Sequence, residues 1–127
     1  MRHSRRCLFV VVFVAILLEE PAAIPRAASG STPRNLDGFA KCLAAKNATM
    51  YGSFWCRHCE DQKEMFRSSF QYVPYVECST PGLRQMTFLC QAKAIRYTPT
   101  WIFADGERRI GLQSLQTLSQ KTACALP

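Results

Sequence analysis

Met50-Tyr51-Gly52-Ser53-Phe54-Trp55-Cys56-Arg57-His58-Cys59 is the stretch whose reading decides the fold. Met50 to Phe54 is rich in apolar and aromatic residues and reads as a strand. The helix predicted to follow runs from Cys56 to about Phe70, with Cys59, Phe66 and Phe70 along one stripe. A strand that ends in a turn before such a helix lifts the Cys56 sulfur to the surface. There the positive end of the helix dipole favours thiolate over thiol. Cys59 lies one turn further on the same face, where it can close a disulfide with Cys56. This arrangement suits thiol–disulfide exchange, in which a thiolate attacks a sulfur and its pKa governs both attack and departure. The helix N-terminus, His58 and the charge of Arg57 are each expected to lower the pKa of Cys56. Favouring the reduced thiolate makes the corresponding disulfide more oxidising.

Outward from this stretch, Leu36, Phe39, Ala40 and Leu43 predict a short helix upstream, with Asn35 as its cap. Downstream, Tyr72 to Cys78 reads as a second strand. Pro74 within it cannot donate to a ladder and assigns that strand to a sheet edge. Gly82 to about Ala94 reads as a second major helix, with Leu83, Met86, Cys90 and Ala94 on one side. Thr100–Ala104 and Arg108–Leu112 pair through the turn Asp105-Gly106, and Ser114 caps a last helix bearing Leu115 and Leu118. The order α, β, α, β, α, β-hairpin, α predicts a four-stranded mixed sheet flanked by helices, with a right-handed crossover between the first two strands.

The 127 residues fit one domain, and the formal charge is +7. Four of the basic and two of the acidic residues precede Gly30, so the remainder carries +5. These charges are scattered without a basic run or aromatic interleaving, which gives a nucleic-acid role little support. Arg2-His3-Ser4-Arg5-Arg6 followed by the apolar run Cys7 to Leu18 reads as a signal peptide. The run is shorter than the roughly 20 residues of a spanning helix. Ala27-Ala28-Ser29 offers small residues for cleavage before Gly30. Glu19 and Glu20 are unusual in a leader, and an uncleaved anchor through residues 7–18 is the alternative. Residues 1–29 are thus read as leader, 30–35 as linker and 36–124 as the folded domain. Export leaves six cysteines beyond the leader: Cys42, Cys56, Cys59, Cys78, Cys90 and Cys124. In an exported small domain they point to disulfides. The pairing of Cys42 and Cys124 stays open, with a mutual bridge, free thiols and partner contacts as alternatives.

The element order, Trp55-Cys56-Arg57-His58-Cys59 after the first strand and Thr98-Pro99-Thr100 before the hairpin together resemble the thioredoxin fold. More narrowly, Met50-Tyr51-Gly52, Tyr72-Val73-Pro74-Tyr75-Val76-Glu77-Cys78, Pro99-Thr100-Trp101 and Gly111-Leu112-Gln113-Ser114-Leu115 resemble a particular thioredoxin-like domain. It is the one fused to bacterial and plastid homologues of vitamin K epoxide reductase. The resemblance implies an enzyme that oxidises substrate thiols; with the leader, this gives an exported enzyme that oxidises cysteine pairs in other exported proteins, and no bound cofactor or metal is expected. Cys56 would attack or receive the mixed disulfide, Cys59 would resolve it, and His58 would tune Cys56. Pro99 would be a cis-proline, with Thr98 pairing to the client backbone. The resemblance further implies a structural disulfide between Cys78 and Cys90. A quinone-linked membrane oxidase, expected here as a separate protein, would restore the disulfide. The compartment would be a periplasm, a thylakoid lumen or the extracellular space. Trp55 and Trp101 are expected either at the rim of the client groove or in the core. Two positions depart from the pattern: Arg57 stands where the family usually has proline, and Met50 where thioredoxins carry a buried acid. Proton transfer at Cys59 is thereby left to His58, water or another group.

Three rival readings are open at this point. The same residues could serve a reductase or isomerase kept reduced by a membrane donor. Cys56, His58 and Cys59 with Cys78 or Cys90 could bind a structural zinc ion, though a second Cys-x-x-Cys is missing. A groove around Trp101 could also serve a non-catalytic binding module.

Overall fold

The computed structural model describes residues 34–127. The expected leader and most of the linker lie outside the described residues. Helix α1 (Asp37–Ala45) begins where Asn35 Oδ1 accepts the Asp37 N–H at 2.8 Å. Its apolar face, Phe39, Ala40 and Leu43, is buried as the spacing requires. Strand β1 (Thr49–Gly52) follows, then α2 (Arg57–Phe66), β2 (Tyr75–Glu77), α3 (Phe88–Ala92), β3 (Thr100–Ile102), β4 (Arg108–Ile110) and α4 (Leu115–Thr122). The sheet order is β2-β1-β3-β4, with β1 parallel to β2 and antiparallel to β3. This four-stranded mixed sheet flanked by helices is a thioredoxin-like fold, and β2 occupies the edge that Pro74 demanded. Among the described residues no helix is long and apolar enough to cross a membrane.

Several elements are shorter than their sequence pattern suggested: β1 ends at Gly52 rather than Phe54, and the hairpin strands stop at Ile102 and Ile110, two residues early. Three others differ more. The second helix stops at Phe66, because Arg67 takes a positive φ of 51° and residues Arg67–Tyr72 continue as a 3-10 turn. Strand β2 starts only at Tyr75, since Tyr72 belongs to that turn and Pro74 supplies no N–H. The helix expected over 82–94 is confined to Phe88–Ala92. Leu83 and Met86 have helical spacing, but the backbone N–H groups of Thr80 and Leu83 go to turn carbonyls. Gly82 turns the chain at φ 75°, and Ser79 bridges to Met86. Thr87 then caps the short helix. In the hairpin, Gly106 takes φ 81° as the Asp-Gly signal predicts, and Ser114 Oγ caps α4 by accepting the Thr117 N–H at 3.0 Å.

The core lies between the sheet and helices α1, α2 and α4, built on Phe39, Leu43, Met50, Phe66, Trp101 and Leu118. A smaller cluster of Tyr51, Cys78, Cys90 and Ile95 fills the other face. Gly52, at the end of β1, is fixed by its neighbour: a Cβ there would stand 2.6 Å from Cε2 of Tyr75. The Tyr75 ring cannot retreat easily, because its hydroxyl is bonded to Glu77 and its edge packs on Phe70. Gly52→Ala should therefore cost about 1–3 kcal/mol by overpacking. Urea unfolding checks this, and a stability equal to that of the unsubstituted chain would refute it.

Candidate active site

Cys56 sits at the N-cap of α2 with extended backbone (φ −87°, ψ 113°), and its carbonyl accepts the N–H groups of Cys59 and Glu60. The turn is closed from the other side by the Cys56 N–H, which donates to Ser53 O at 3.0 Å. These bonds hold the sulfur at the positive end of a ten-residue helix. The Cys56 Sγ donates to Thr98 O at 3.2 Å, and the Thr98–Pro99 peptide is cis. The helix start and the segment before β3, 42 residues apart in sequence, thus meet at one sulfur.

Cys56 is less open than its place after a strand-ending turn implied: only 8% of its surface is exposed. The Thr98 carbonyl covers what the turn alone would leave free. Cys59 is wholly buried, and both cysteines carry free thiols. Burial, and then the hydrogen bond with Cys56, push the Cys59 thiol up to about 12. Near neutral pH Cys59 stays protonated, so Cys56 is the sulfur of the pair placed to act as nucleophile.

The other expected site residues divide. Trp55 is 42% exposed beside the motif, with the Arg84 guanidinium 5.7 Å from its ring. Trp101 is not at a groove rim: it is fully buried in the core, because β3 is central and turns this residue onto the α2 face. Arg57 and His58 both point to Asp61, at 3.1 Å and 3.6 Å. The Arg57 guanidinium is raised above its ordinary value by that bond. Asp61 thus engages both side chains, and His58 makes no hydrogen bond to either motif sulfur among the described residues.

Cys78 and Cys90 are bonded to each other, and so are Cys42 and Cys124. The second bridge answers a question the spacing had left open. The first removes Cys78 and Cys90 as thiolate ligands for zinc, and no cluster with metal-holding geometry occurs among the described residues.

Three contributors escaped sequence reasoning. Gln62, fully buried on α2, accepts from Trp101 Nε1 at 3.3 Å and from the Gln113 N–H at 2.8 Å, and donates to Gln113 O at 3.0 Å. Its signal was available: Cys59, Gln62 and Phe66 share one helical stripe, so a polar residue there must find buried partners. Tyr75 and Glu77 on β2 are the others. Glu77 Oε1 accepts the N–H of Phe54 at 3.2 Å and of Ser79 at 2.8 Å, while Oε2 accepts the Tyr75 hydroxyl at 2.7 Å. The strand-ending turn before Cys56 is thereby anchored to the edge strand.

Fold and site together define a thioredoxin-like protein carrying a Cys-x-x-Cys pair at a helix start, opposite a Thr-Pro segment. Over 92 residues, 69% of its length, the chain is 40% identical to the thiol-disulfide oxidoreductase LTO1 of Arabidopsis thaliana. It spans about a quarter of that curated relative's length (24%). No family model matches the sequence. The similarity supports a thiol–disulfide redox role.

Proposed function

We propose that this protein is an exported thiol–disulfide oxidoreductase that oxidises cysteine pairs in other exported proteins through a Cys56–Cys59 disulfide. The observation that carries the reading is the unequal pair of sulfurs. Cys56 lies at the helix start against Thr98 O, and Cys59 lies buried and protonated behind it. A client thiolate attacks Cys56 Sγ of the oxidised pair, and Cys59 leaves as thiolate and takes up a proton. A second client thiolate then attacks the client sulfur of the mixed disulfide, releasing Cys56 and an oxidised client. Thr98 and Pro99 bind the client backbone, and Trp55 offers it an exposed apolar contact. Two bridges outside the motif favour an oxidising compartment such as a periplasm, a thylakoid lumen or the extracellular space. By resemblance to the domain fused to vitamin K epoxide reductase homologues, the reoxidant is a quinone-linked membrane oxidase.

Redox titration of Cys56–Cys59 against glutathione or dithiothreitol buffers tests the direction. The oxidase reading requires a potential near about −120 mV, whereas about −270 mV would mark a reductase.

A further inference from the structure

The redox reading leaves one proton without a destination. Cys59 has no exposed surface and keeps its proton near neutral pH. Before it can attack Cys56 in a mixed disulfide, that proton must go. Met50, on the strand beneath, is buried and offers no acceptor. The neighbouring strand does. In the parallel pairing Met50 lies opposite Tyr75 and Gly52 opposite Glu77, which sets Tyr75 and Glu77 on one face of the sheet. Tyr75 packs on the same core cluster as Cys59.

Gly52 lets the Tyr75 side chain lie across β1, its hydroxyl oxygen 3.0 Å from where a Cβ on Gly52 would stand. Lys63, one helical turn after Cys59 on α2, lies over the Tyr75 ring, which sets that ring beside the helix carrying Cys59. The hydroxyl lies at the end of β1, and its bond to Glu77 Oε2 leads to an exposed carboxylate. The groups around Tyr75 are Cys59, Glu60 and Lys63 from α2, Phe70 from the 3-10 turn and Glu77 from its own strand. Lys63 Nζ lies 4.7 Å from the ring centre and is bonded to Glu60 at 2.8 Å. Burial and the Glu77 bond hold the phenol well above its ordinary value, and the charge of Glu60 adds to this, as would a thiolate at Cys59.

We propose that Tyr75 and Glu77 form the path by which the Cys59 proton leaves and returns. This rests on the redox reading above. In resolution, the S–H bond of Cys59 breaks and its proton passes to Tyr75 Oη, directly or across one water, as the tyrosine proton moves to Glu77 Oε2. The electron pair left on Cys59 forms the bond to Cys56 Sγ, and the client sulfur departs as thiolate with the pair from the broken mixed disulfide. Opening of the Cys56–Cys59 disulfide runs the path backwards. Glu77 acts through Tyr75 and is a positioning residue.

The test loads Cys56 with glutathione and follows glutathione release across pH in the unsubstituted protein and in Tyr75→Phe, Glu77→Gln and Glu77→Asp. Tyr75→Phe keeps the ring over Gly52, and Glu77→Gln keeps an acceptor for Phe54 and Ser79. Release near neutral pH should slow about a hundredfold in both variants. The deficit should shrink as pH rises and hydroxide takes over, and Glu77→Asp should recover most of the rate. Attack of the Cys56 thiolate on oxidised glutathione, which releases one glutathione thiolate, should stay within about twofold when measured with Cys59→Ala added. Unchanged release in both variants overturns the inference, as does a pH-independent loss shared by the Cys56 reaction. A wild-type protein that forms no glutathione adduct at Cys56 overturns the redox reading itself, and this inference with it.

Discussion

Cys56→Ala abolishes exchange and Cys59→Ala arrests it halfway: that is the expected result with the largest effect. Without Cys56 the remaining thiol is fully buried and held protonated, so nothing at the helix start can attack or be attacked. The rate of disulfide transfer to a reduced client should fall by about 10³-fold or more, as for loss of a nucleophile elsewhere. Cys59→Ala keeps the sulfur at the helix start and removes the one that resolves it. Client proteins should then accumulate as mixed disulfides on Cys56, visible as reducible higher-mass bands on gels run without reductant. The pH dependence has a definite sign: Cys59 ionises only near about 12, so unassisted resolution should accelerate throughout the range from neutral to strongly alkaline pH. Residual transfer by Cys56→Ala above a tenth of the wild-type rate would contradict the assignment, and so would failure of Cys59→Ala to trap any thiol client.

The second large effect concerns stability. Cys42 and Cys124 are 82 residues apart and join α1 to the chain just past α4. In the chain-entropy account a loop of that length restricts the unfolded chain by about 4–5 kcal/mol, against about 3 kcal/mol for the short Cys78–Cys90 loop. Replacing both Cys42 and Cys124 by alanine should therefore lower unfolding free energy by about 4–5 kcal/mol, a large part of what a domain of this size possesses. Urea unfolding by linear extrapolation measures it. A loss no greater than that from removing Cys78–Cys90 would show that the long bridge staples ends already held by packing.

Much of this was legible in the chain. The apolar and aromatic run from Met50 marked a strand, though it ends at Gly52, and the Asp105-Gly106 turn and Ser114 each carry a local conformational requirement that survives folding unchanged. Pro74 placed β2 at the edge because a missing N–H has the same consequence in any context. The reading failed where tertiary contacts outvoted a local pattern. Leu83 and Met86 have helical spacing, but Pro81, the turn at Gly82 and the Ser79–Met86 bridge use that backbone differently. Trp101 was ambiguous because one aromatic suits a rim or a core equally, and only its position on a central strand decides. At the site, the cysteine pair and Thr98–Pro99 were visible because each is a contiguous motif. The Tyr75–Glu77 link depends on the register of β2 against β1, which no spacing within either strand reveals. The partner of Arg57 and His58 was equally hidden, since Asp61 is set by side-chain choice on an exposed helical turn.

Gln62 has a consequence for how such a site would work. Its amide couples the helix that carries Cys59 to Trp101 on β3 and to the backbone at Gln113, and none of these bonds involves Cys56 or Cys59. Oxidation and reduction of the pair should therefore leave α2 and β3 at a fixed spacing, like the jaws of a clamp already set. The adjusting should then fall to the visitor: with Cys56 this little exposed, a cysteine on a slack or unfinished stretch of chain is expected to react faster than one locked inside a finished fold.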